Sequence, residues 1–455
     1  MTEIDLTTPR RIHVIGVGGA GMRAIASVLN AMGHQVSGTD LKASPGLDRL
    51  AAEGIDVTVG HEATAVAGAD LVTRSTAVPD GNPEVQAARE ADIPVTSRAE
   101  ILTAITCVRR TVAVAGTHGK TTTSSMLAVV MREASLSPSF IIGGEVNEIG
   151  SGAVWSEDDG WFVVEADESD GTFLELASAA AIVTSVEPDH LGHYGGENEL
   201  VAAFGRFVDA IDGPVIACAD DEGAVALAGR PHVVTYGTAD GADWRISDYR
   251  STRTGASYRL TDPDGAEHDF TLATPGLHNV RNAAAATVMA VQLGAGIEPA
   301  QRALGRFGGV ARRFQVRGER DGVTYIDDYA HLPTEVEAAL EAAAAGEWDR
   351  IVCVFQPHRY TRTSDLWQDF ATSFGAADKL VVTGIYAAGE PAIPGVTAGL
   401  VVDAVTGADP AADVQLIEHR DDLLVYLQAT LMPGDLCLTL GAGDLTTVPD
   451  DLLLP

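Results

Sequence analysis

Val112-Ala113-Val114-Ala115-Gly116-Thr117-His118-Gly119-Lys120-Thr121-Thr122-Thr123 is the stretch from which the rest of the chain is read. Four small apolar residues come first, as in a parallel strand buried on both faces. Gly116 and Gly119 bracket a tight turn, and Lys120 with three threonines opens a helical run rich in alanine and methionine. A strand, a turn that aims backbone N–H groups inward and a helix N-terminus together cradle a phosphate. There Lys120 reaches the outer phosphates and the Thr121 hydroxyl can ligate Mg2+. The pattern departs from the general phosphate loop at Val114, where a first glycine is expected. The plainer alternative is a glycine turn that merely ends a strand. Gly, Lys and Thr in register after an apolar strand favour nucleotide binding, by Gly116, Thr117, His118, Gly119, Lys120, Thr121 and Thr122.

Around this stretch lie 455 residues, enough for two to four domains with cores of their own. Net charge is −34, from 64 acids against 30 bases. Such a surface repels nucleic acid and anionic membranes. A salty cytoplasm or simple genome composition would each account for it. The scarcity of bases makes the remaining ones informative: Lys42, Lys120 and Lys379 are the only lysines, and arginines recur at Arg312-Arg313 and at Arg359 and Arg362. No apolar run approaches membrane-spanning length. The polar segment Met1 to Arg11 lacks the apolar core of a signal peptide. Cys107, Cys218, Cys353 and Cys437 are too scattered for a zinc site or a disulfide framework, so reduced thiols and a cytoplasmic location are expected.

Before the phosphate loop, the apolar run Arg11 to Gly16 leads into Gly16-Val17-Gly18-Gly19-Ala20-Gly21, a helical run, a strand Gln35 to Thr39 and then Asp40. Gly16, Gly18 and Gly21 fit G-x-G-x-x-G, with the acid roughly 20 residues on. The chemistry is a helix N-terminus for a diphosphate and a carboxylate for ribose or base. NAD and a UDP-sugar both meet it. After the loop, Trp161 to Glu165 reads as a buried strand ending in the acids Glu165, Asp167, Glu168 and Asp170, and a carboxylate there can complete a Mg2+ shell begun by Thr121. Ala180 to Thr184 leads to Glu187-Pro188-Asp189-His190, where His190 is a metal ligand or a core histidine. Ala242 to Leu272 reads as a small antiparallel excursion turning at Asp262-Pro263-Asp264-Gly265. Asn279 and Asn282 share one helical face, as a cap and polar edge or as amides that read a purine. A last α/β unit carries its polar residues at strand ends, in Asp327-Asp328-Tyr329-Ala330-His331 and Gln356-Pro357-His358-Arg359-Tyr360-Thr361-Arg362. The expected fold is α/β in three domains. Residues 1–107 are Rossmann-like, 108–310 a phosphate-loop ATPase-type domain of mostly parallel sheet with a small antiparallel sheet, and 311–455 Rossmann-like again.

These motifs, in this order and at domain-sized spacing, resemble those of the Mur ligases over essentially the whole chain. The resemblance rests on Gly16 to Met22, Gly116 to Thr122, Glu165 to Asp170, Glu187 to His190, His278 to Asn282, Arg312 to Phe314, Asp327 to His331 and Gln356 to Thr363. It implies ATP-dependent joining of L-alanine to the carboxylate of UDP-N-acetylmuramate through an acyl phosphate, in peptidoglycan precursor synthesis. Lys120 would stabilise the transferring phosphate, with His190 and Arg313 as further catalytic residues. Thr121, Glu165 and His190 would hold two Mg2+ ions. Asn279, Asn282, Arg313 and Asp328 would contact ATP. Gly16, Gly18, Gly19, Gly21 and Asp40 would bind the UDP-sugar. Tyr329, His331, Arg359 and Arg362 would form the amino-acid site, in a monomer or homodimer. Three positions depart from the family pattern: Leu332 for a second histidine, Gly192 for an aspartate and Gly152 for an asparagine.

Three rivals remain. A recycling ligase that joins a whole peptide to UDP-N-acetylmuramate shares the phosphate loop, but two arginines placed to clamp one small carboxylate favour a single amino acid. An NAD-dependent dehydrogenase leaves Lys120, Glu165 and His190 unexplained. A nucleotide switch has no need of the second glycine-rich site.

Overall fold

The computed structural model describes residues 4–189 and 194–454. The chain is α/β and builds three sheets, one in each of three domains. The first holds β1 (Arg11–Ile15), β2 (Gln35–Asp40), β3 (Asp56–Val59), β4 (Leu71–Arg74) and β5 (Val95–Ser97), all parallel, in the order β3-β2-β1-β4-β5. Strand order reverses beside β1, so the turn Gly16–Gly21 leaves β1 at a topological switch point, where open α/β sheets bind ligands. The helix Ala20–Ala31 follows and buries Met22, Ile25, Ala26, Val28 and Leu29, the three- and four-residue spacing of one helical face.

The second sheet holds β6 (Thr111–Ala115), β7 (Ser139–Val146), β8 (Ser151–Val154), β9 (Phe162–Glu165), β10 (Ser178–Val183), β11 (Val215–Cys218), β12 (Val233–Gly237), β13 (Trp244–Thr252), β14 (Gly255–Thr261) and β15 (Glu267–Leu272). Its order is β15-β14-β13-β12-β11-β10-β6-β9-β7-β8. β6 lies between β9 and β10, parallel to both, and all of its residues are buried. The phosphate-loop strand is therefore interior, as its unbroken apolar run requires. The stretch Ala242 to Leu272 supplies β13 to β15 of this sheet, and β13 joins it by pairing with β12 through Tyr236↔Trp244 and Gly237↔Arg245. That pairing satisfies backbone groups that β12 would otherwise present as an open edge.

The third sheet holds β16 (Gln315–Arg320), β17 (Val323–Asp328), β18 (Arg350–Phe355), β19 (Lys379–Val382), β20 (Val414–Leu416) and β21 (Asp435–Leu440), in the order β16-β17-β21-β18-β19-β20. Only the β16–β17 pair is antiparallel. β18 feeds two cores: Ile351, Cys353 and Phe355 pack on one face of the sheet, Val352 and Val354 on the other.

By its backbone packing the chain divides into two compact units. One comprises Met1–Ser247, Leu260–His268 and Arg281–Leu304, the other Asp248–Arg259, Asp269–Val280 and Gly305–Pro455.

The first domain has a buried polar tie. Glu84, wholly buried on the helix Pro83–Glu90, accepts from Thr39 Oγ1 at 2.7 Å and from the Glu62 N–H at 3.1 Å. It also meets His13 Nε2 and His61 Nδ1, each at 3.2 Å. Burial opposes its charge, but the bonds from His13, Thr39 and His61 outweigh that and hold the carboxyl below its ordinary value. One carboxylate thus joins β1, β2 and the turn after β3 to a helix. Glu84→Ala leaves those partners buried and unsatisfied. The expected cost is about 3–5 kcal/mol, read as a lower urea midpoint at unchanged slope. An unchanged midpoint would show that the network contributes nothing net.

Candidate active site

In the first unit the phosphate loop takes the shape its glycines permit. Gly116 has φ +132° and Gly119 φ +77°, in the region that side chains rarely adopt. A Cβ on Gly116 would collide with Thr184 Oγ1, and one on Gly119 would meet Asn282 Oδ1 at 2.5 Å. The loop is pinned to the chain beyond β10. The Thr117 N–H donates to the Ser185 carbonyl at 3.0 Å and the His118 N–H to Ser185 Oγ at 3.0 Å. Thr184 Oγ1 donates to the His118 carbonyl. Thr117 Oγ1 exchanges bonds with the Glu187 backbone, and His118 Nε2 lies 3.2 Å from Glu187 Oε2. Gly119 caps the helix Lys120–Glu133, with Thr121 and Thr122 buried in its first turn.

Lys120 Nζ donates to the Gly116 carbonyl at 2.6 Å and the Thr117 carbonyl at 3.2 Å, and lies 2.9 and 2.8 Å from the two Glu168 oxygens. Burial works against the ammonium, but Glu168, then Glu165 and Asp167, outweigh it and raise its pKa. The cost of burial falls on Glu168, whose carboxyl burial pushes up to about 7 against the pull of Lys120. Beside this pair, Thr121 Oγ1 donates to Glu165 Oε1 at 3.1 Å, and the other Glu165 oxygen accepts from the Gly143 N–H at 2.8 Å. A hydroxyl and a carboxylate converging beside a phosphate loop fit Mg2+, which takes hard oxygen ligands and usually only one or two carboxylates from the protein. No group of three His, Cys, Asp or Glu side chains suited to a metal occurs among the described residues. His190, expected as a ligand, lies outside them, as does Gly192.

The glycine turn after β1 is bound to β2: the Gly16 and Val17 N–H groups donate to the Thr39 carbonyl at 2.8 and 3.0 Å. Asp40 Oδ2 accepts from the Gly18 N–H at 2.8 Å, so the acid expected to read a ribose or base braces the loop. A Cβ on Gly18 would meet that oxygen at 2.7 Å, and one on Gly21 would meet Arg98 Nε at 3.1 Å. Gly19 caps the following helix. Asn282 accepts from Thr123 Oγ1 at 3.1 Å and so holds the start of the helix that follows the phosphate loop. Gly152 has no room for the family's asparagine, because a Cβ would lie 2.6 Å from the Gly144 carbonyl.

In the second unit Asn279 Nδ2 donates to the Pro275 carbonyl at 2.7 Å. Asp328 is buried at the end of β17 and accepts from the Phe314 N–H at 2.6 Å and the Ala330 N–H at 2.7 Å. Burial pushes its carboxyl up to about 6, against Arg313. One oxygen thus holds the turn that carries Arg313 and the other the chain just after β17; the Arg313 guanidinium lies 5.0 Å from the Tyr329 ring centre. Arg312, Phe314 and Arg359 have φ of +62°, +47° and +66°, conformations that non-glycine residues hold only when their surroundings enforce them. Tyr329, His331, His358 and Tyr386 form a chain of ring contacts, with centres 5.4, 5.5 and 5.8 Å apart. Arg362 Nη1 lies 2.9 Å from His358 Nδ1. Arg359 is exposed at the head of the helix Tyr360–Leu366, and its N–H donates to the Tyr386 carbonyl at 2.8 Å. Leu332 is buried before the helix Pro333–Ala344.

The first unit thus brings together Gly116 to Thr122, Glu165 and Asn282. The second brings together Arg313, Asp328, Tyr329, His331 and Arg362. Glu168, Arg98 and His358 have contacts here that sequence reasoning did not assign. Glu168 is one of four acids in an acidic run, and nothing local distinguishes it. Arg98 is only a helix start in sequence. His358 carried a signal, since it stands among residues already read as the amino-acid site.

A phosphate-loop lysine over a carboxylate-rich strand end, in three α/β domains, defines a nucleotide-dependent α/β protein. Three family models match it: Mur ligase family, catalytic domain, over residues 11–110; Mur ligase middle domain over 114–290; and Mur ligase, glutamate ligase domain, over 312–443. The chain belongs to the Mur ligase family. It is 44% identical over 449 residues to the UDP-N-acetylmuramate–L-alanine ligase of Rubrobacter xylanophilus, covering 97% of this chain and 99% of that one. It is 47% identical over 455 residues to the enzyme of that name from Kineococcus radiotolerans, covering 97% and 95%. Among solved structures it resembles the UDP-N-acetylmuramate–alanine ligase of Thermotoga maritima, with TM-score 0.82, 28% identity and 98% of each chain covered. The murein peptide ligase of Psychrobacter arcticus gives TM-score 0.70 and 25% identity over 98% of each chain.

Burial, then His331, Arg362 and Arg359, push the His358 pKa down from 6.5 to about 4. A depressed folded-state pKa gives stability that is present above the unfolded value and lost as the pH falls through the folded one. The thermal midpoint is therefore expected to decline between pH 6.5 and about 4, and to decline less in His358→Gln. Parallel pH profiles for the two proteins would count against the assignment.

Proposed function

We propose that this chain joins L-alanine to the carboxylate of UDP-N-acetylmuramate at the expense of ATP, giving UDP-N-acetylmuramoyl-L-alanine, ADP and phosphate. The observation that carries the reading is the phosphate loop itself, with Lys120 buried beneath it and the Thr121–Glu165 pair beside it. Near-full-length identity to ligases of that name supports the choice of substrates. A free carboxylate is a poor electrophile, so it is first phosphorylated. The amine then attacks the acyl phosphate, and the tetrahedral intermediate collapses to amide and phosphate. The attack of one anion on another requires cations between them. Lys120 serves the transferring phosphate, with His190 and Arg313 as further catalytic groups. Thr121, Glu165 and His190 would hold two Mg2+ ions, which when bound supply further neutralising charge.

Gly116 to Thr122, Asn279, Asn282, Arg313 and Asp328 are assigned to ATP. Gly16, Gly18, Gly19, Gly21 and Asp40 are assigned to the UDP-sugar. Tyr329, His331, Arg359 and Arg362 are assigned to alanine, with a planar guanidinium suited to its carboxylate. We assign residues 1–107, 108–310 and 311–455 to the UDP-sugar, ATP and amino-acid domains of a cytoplasmic monomer or homodimer. No helix among the described residues is long and apolar enough to cross a membrane.

Lys120→Ala should abolish ATP-dependent phosphate release while calorimetry still registers UDP-N-acetylmuramate binding. Turnover near wild type would sink the phosphate-loop assignment. Arg362→Ala should raise the KM for alanine at least about tenfold, the loss of one charged hydrogen bond at about 1.5–3 kcal/mol, with the KM for ATP unmoved. Equal rises in both constants would make Arg362 structural.

A further inference from the structure

Two imidazoles stand in the amino-acid site, and their partners fix opposite tautomers. His331 Nδ1 lies 3.0 Å from the Tyr329 carbonyl and 3.2 Å from Glu335 Oε2. Neither oxygen can donate, so Nδ1 carries the hydrogen and Nε2 of the neutral ring keeps its lone pair. His358 Nδ1 faces Arg362 Nη1 at 2.9 Å. A guanidinium only donates, so this Nδ1 accepts and Nε2 of His358 carries the hydrogen. Of the two rings only His331 therefore offers a base at Nε2. The nearby carboxylate, Glu335, is occupied: its Oε2 accepts from the His331 N–H at 2.9 Å and the Leu332 N–H at 3.2 Å.

An α-amino acid carries its ammonium one carbon from its carboxylate. A carboxylate held at Arg362 thus brings the ammonium among these rings. We propose that His331 Nε2 is the base that removes a proton from the ammonium of the incoming amino acid. This rests on the ligase reading above. The ammonium gives one proton to Nε2, and the freed lone pair on nitrogen forms the C–N bond to the acyl phosphate. The C–O bond to phosphate then breaks, with its electron pair leaving on the phosphate oxygen. The second nitrogen proton departs with the phosphate, and His331 returns its own to water.

The surroundings suit the task. Burial lowers the His331 pKa below its ordinary value, helped by Arg362 and Arg313, while Glu335 opposes. Around the ring stand Glu335 from the helix Pro333–Ala344, Tyr329 at the end of β17, Arg313 from the turn before β16, and His358 and Arg362 from the segment after β18. The ring is thereby kept neutral and ready to accept, and Glu335 is placed to steady the imidazolium once it forms.

The test compares wild type with His331→Gln, using alanine and, separately, hydroxylamine, a nucleophile already neutral at pH 7. At pH 7 the variant should lose about 10²–10⁴-fold in kcat/KM for alanine. The loss should shrink as the pH rises toward the ammonium's own pKa, and hydroxamate should still form from UDP-N-acetylmuramate and ATP at the wild-type rate. Glu335→Gln should move the acid limb of the wild-type profile to lower pH. A loss that is the same at every pH, one confined to KM, one that extends to hydroxamate, or an unmoved limb in Glu335→Gln would each overturn the proposal. If wild type itself released no phosphate with UDP-N-acetylmuramate, alanine and ATP, the ligase reading would fail, and this proposal with it.

Discussion

A single ammonium buried under a glycine turn is the constraint on which the active-site side of the structure depends. Lys120 is one of three lysines in a chain of net charge −34. Placing a cation there requires compensation, because an unpaired buried charge is prohibitively costly. Compensation comes from the Gly116 and Thr117 carbonyls and from Glu168. The carbonyls can face the lysine only because two glycines hold positive φ. Glu168 can reach it only because β9 lies next to β6. The pairing of two strands is thus tied to the solvation of one side chain, and the same arrangement carries Glu165 to Thr121.

Parallel sheets place such groups without further devices. Each parallel strand delivers its carboxyl end to the same edge of its sheet, so residues distant in sequence converge there. In the first domain this edge carries the Gly16–Gly21 turn and Asp40, at the ends of neighbouring strands. In the third it carries Asp328 after β17 and the Gln356-to-Arg362 segment after β18, which flank β21 on either side. Of the strands behind these edges, β18 is nearly a pure apolar run, buried along all but its first residue, because both of its faces are covered.

How much of this was legible follows from that division of labour. Val112 to Thr123 could be read because backbone geometry demands glycine at two positions and chemistry demands Lys and Thr at the next two. β18 and β21 could be read as buried strands. β16 and β20 could not. Gln315–Arg320 is mostly polar with Val316 exposed, and Val414–Leu416 is a three-residue edge. The antiparallel stretch was recognised, but not its continuity with β12, since two backbone pairs leave no mark in the side chains. Site roles were harder still. Asp40, Asp328 and Asn282 stood out as polar residues at strand and helix ends, yet each supports backbone, loop or helix start in this structure. Which acid meets Lys120 is set by the course of the chain after β9, and no local pattern records it.

The histidines of the third domain show how far partner identity can replace proximity as an argument. In so acidic a chain an imidazole would ordinarily be drawn toward its charged form. His331 and His358 are moved the other way, by burial and by arginines that the domain gathers at one strand edge. Arginine has no acceptor and a carbonyl has no donor, so each contact permits one direction of hydrogen bonding only. Two rings of the same chemistry, 5.5 Å apart, are thereby made unlike. One presents a lone pair and the other a hydrogen, and it is the neighbours' one-way chemistry, rather than either histidine, that decides which is which.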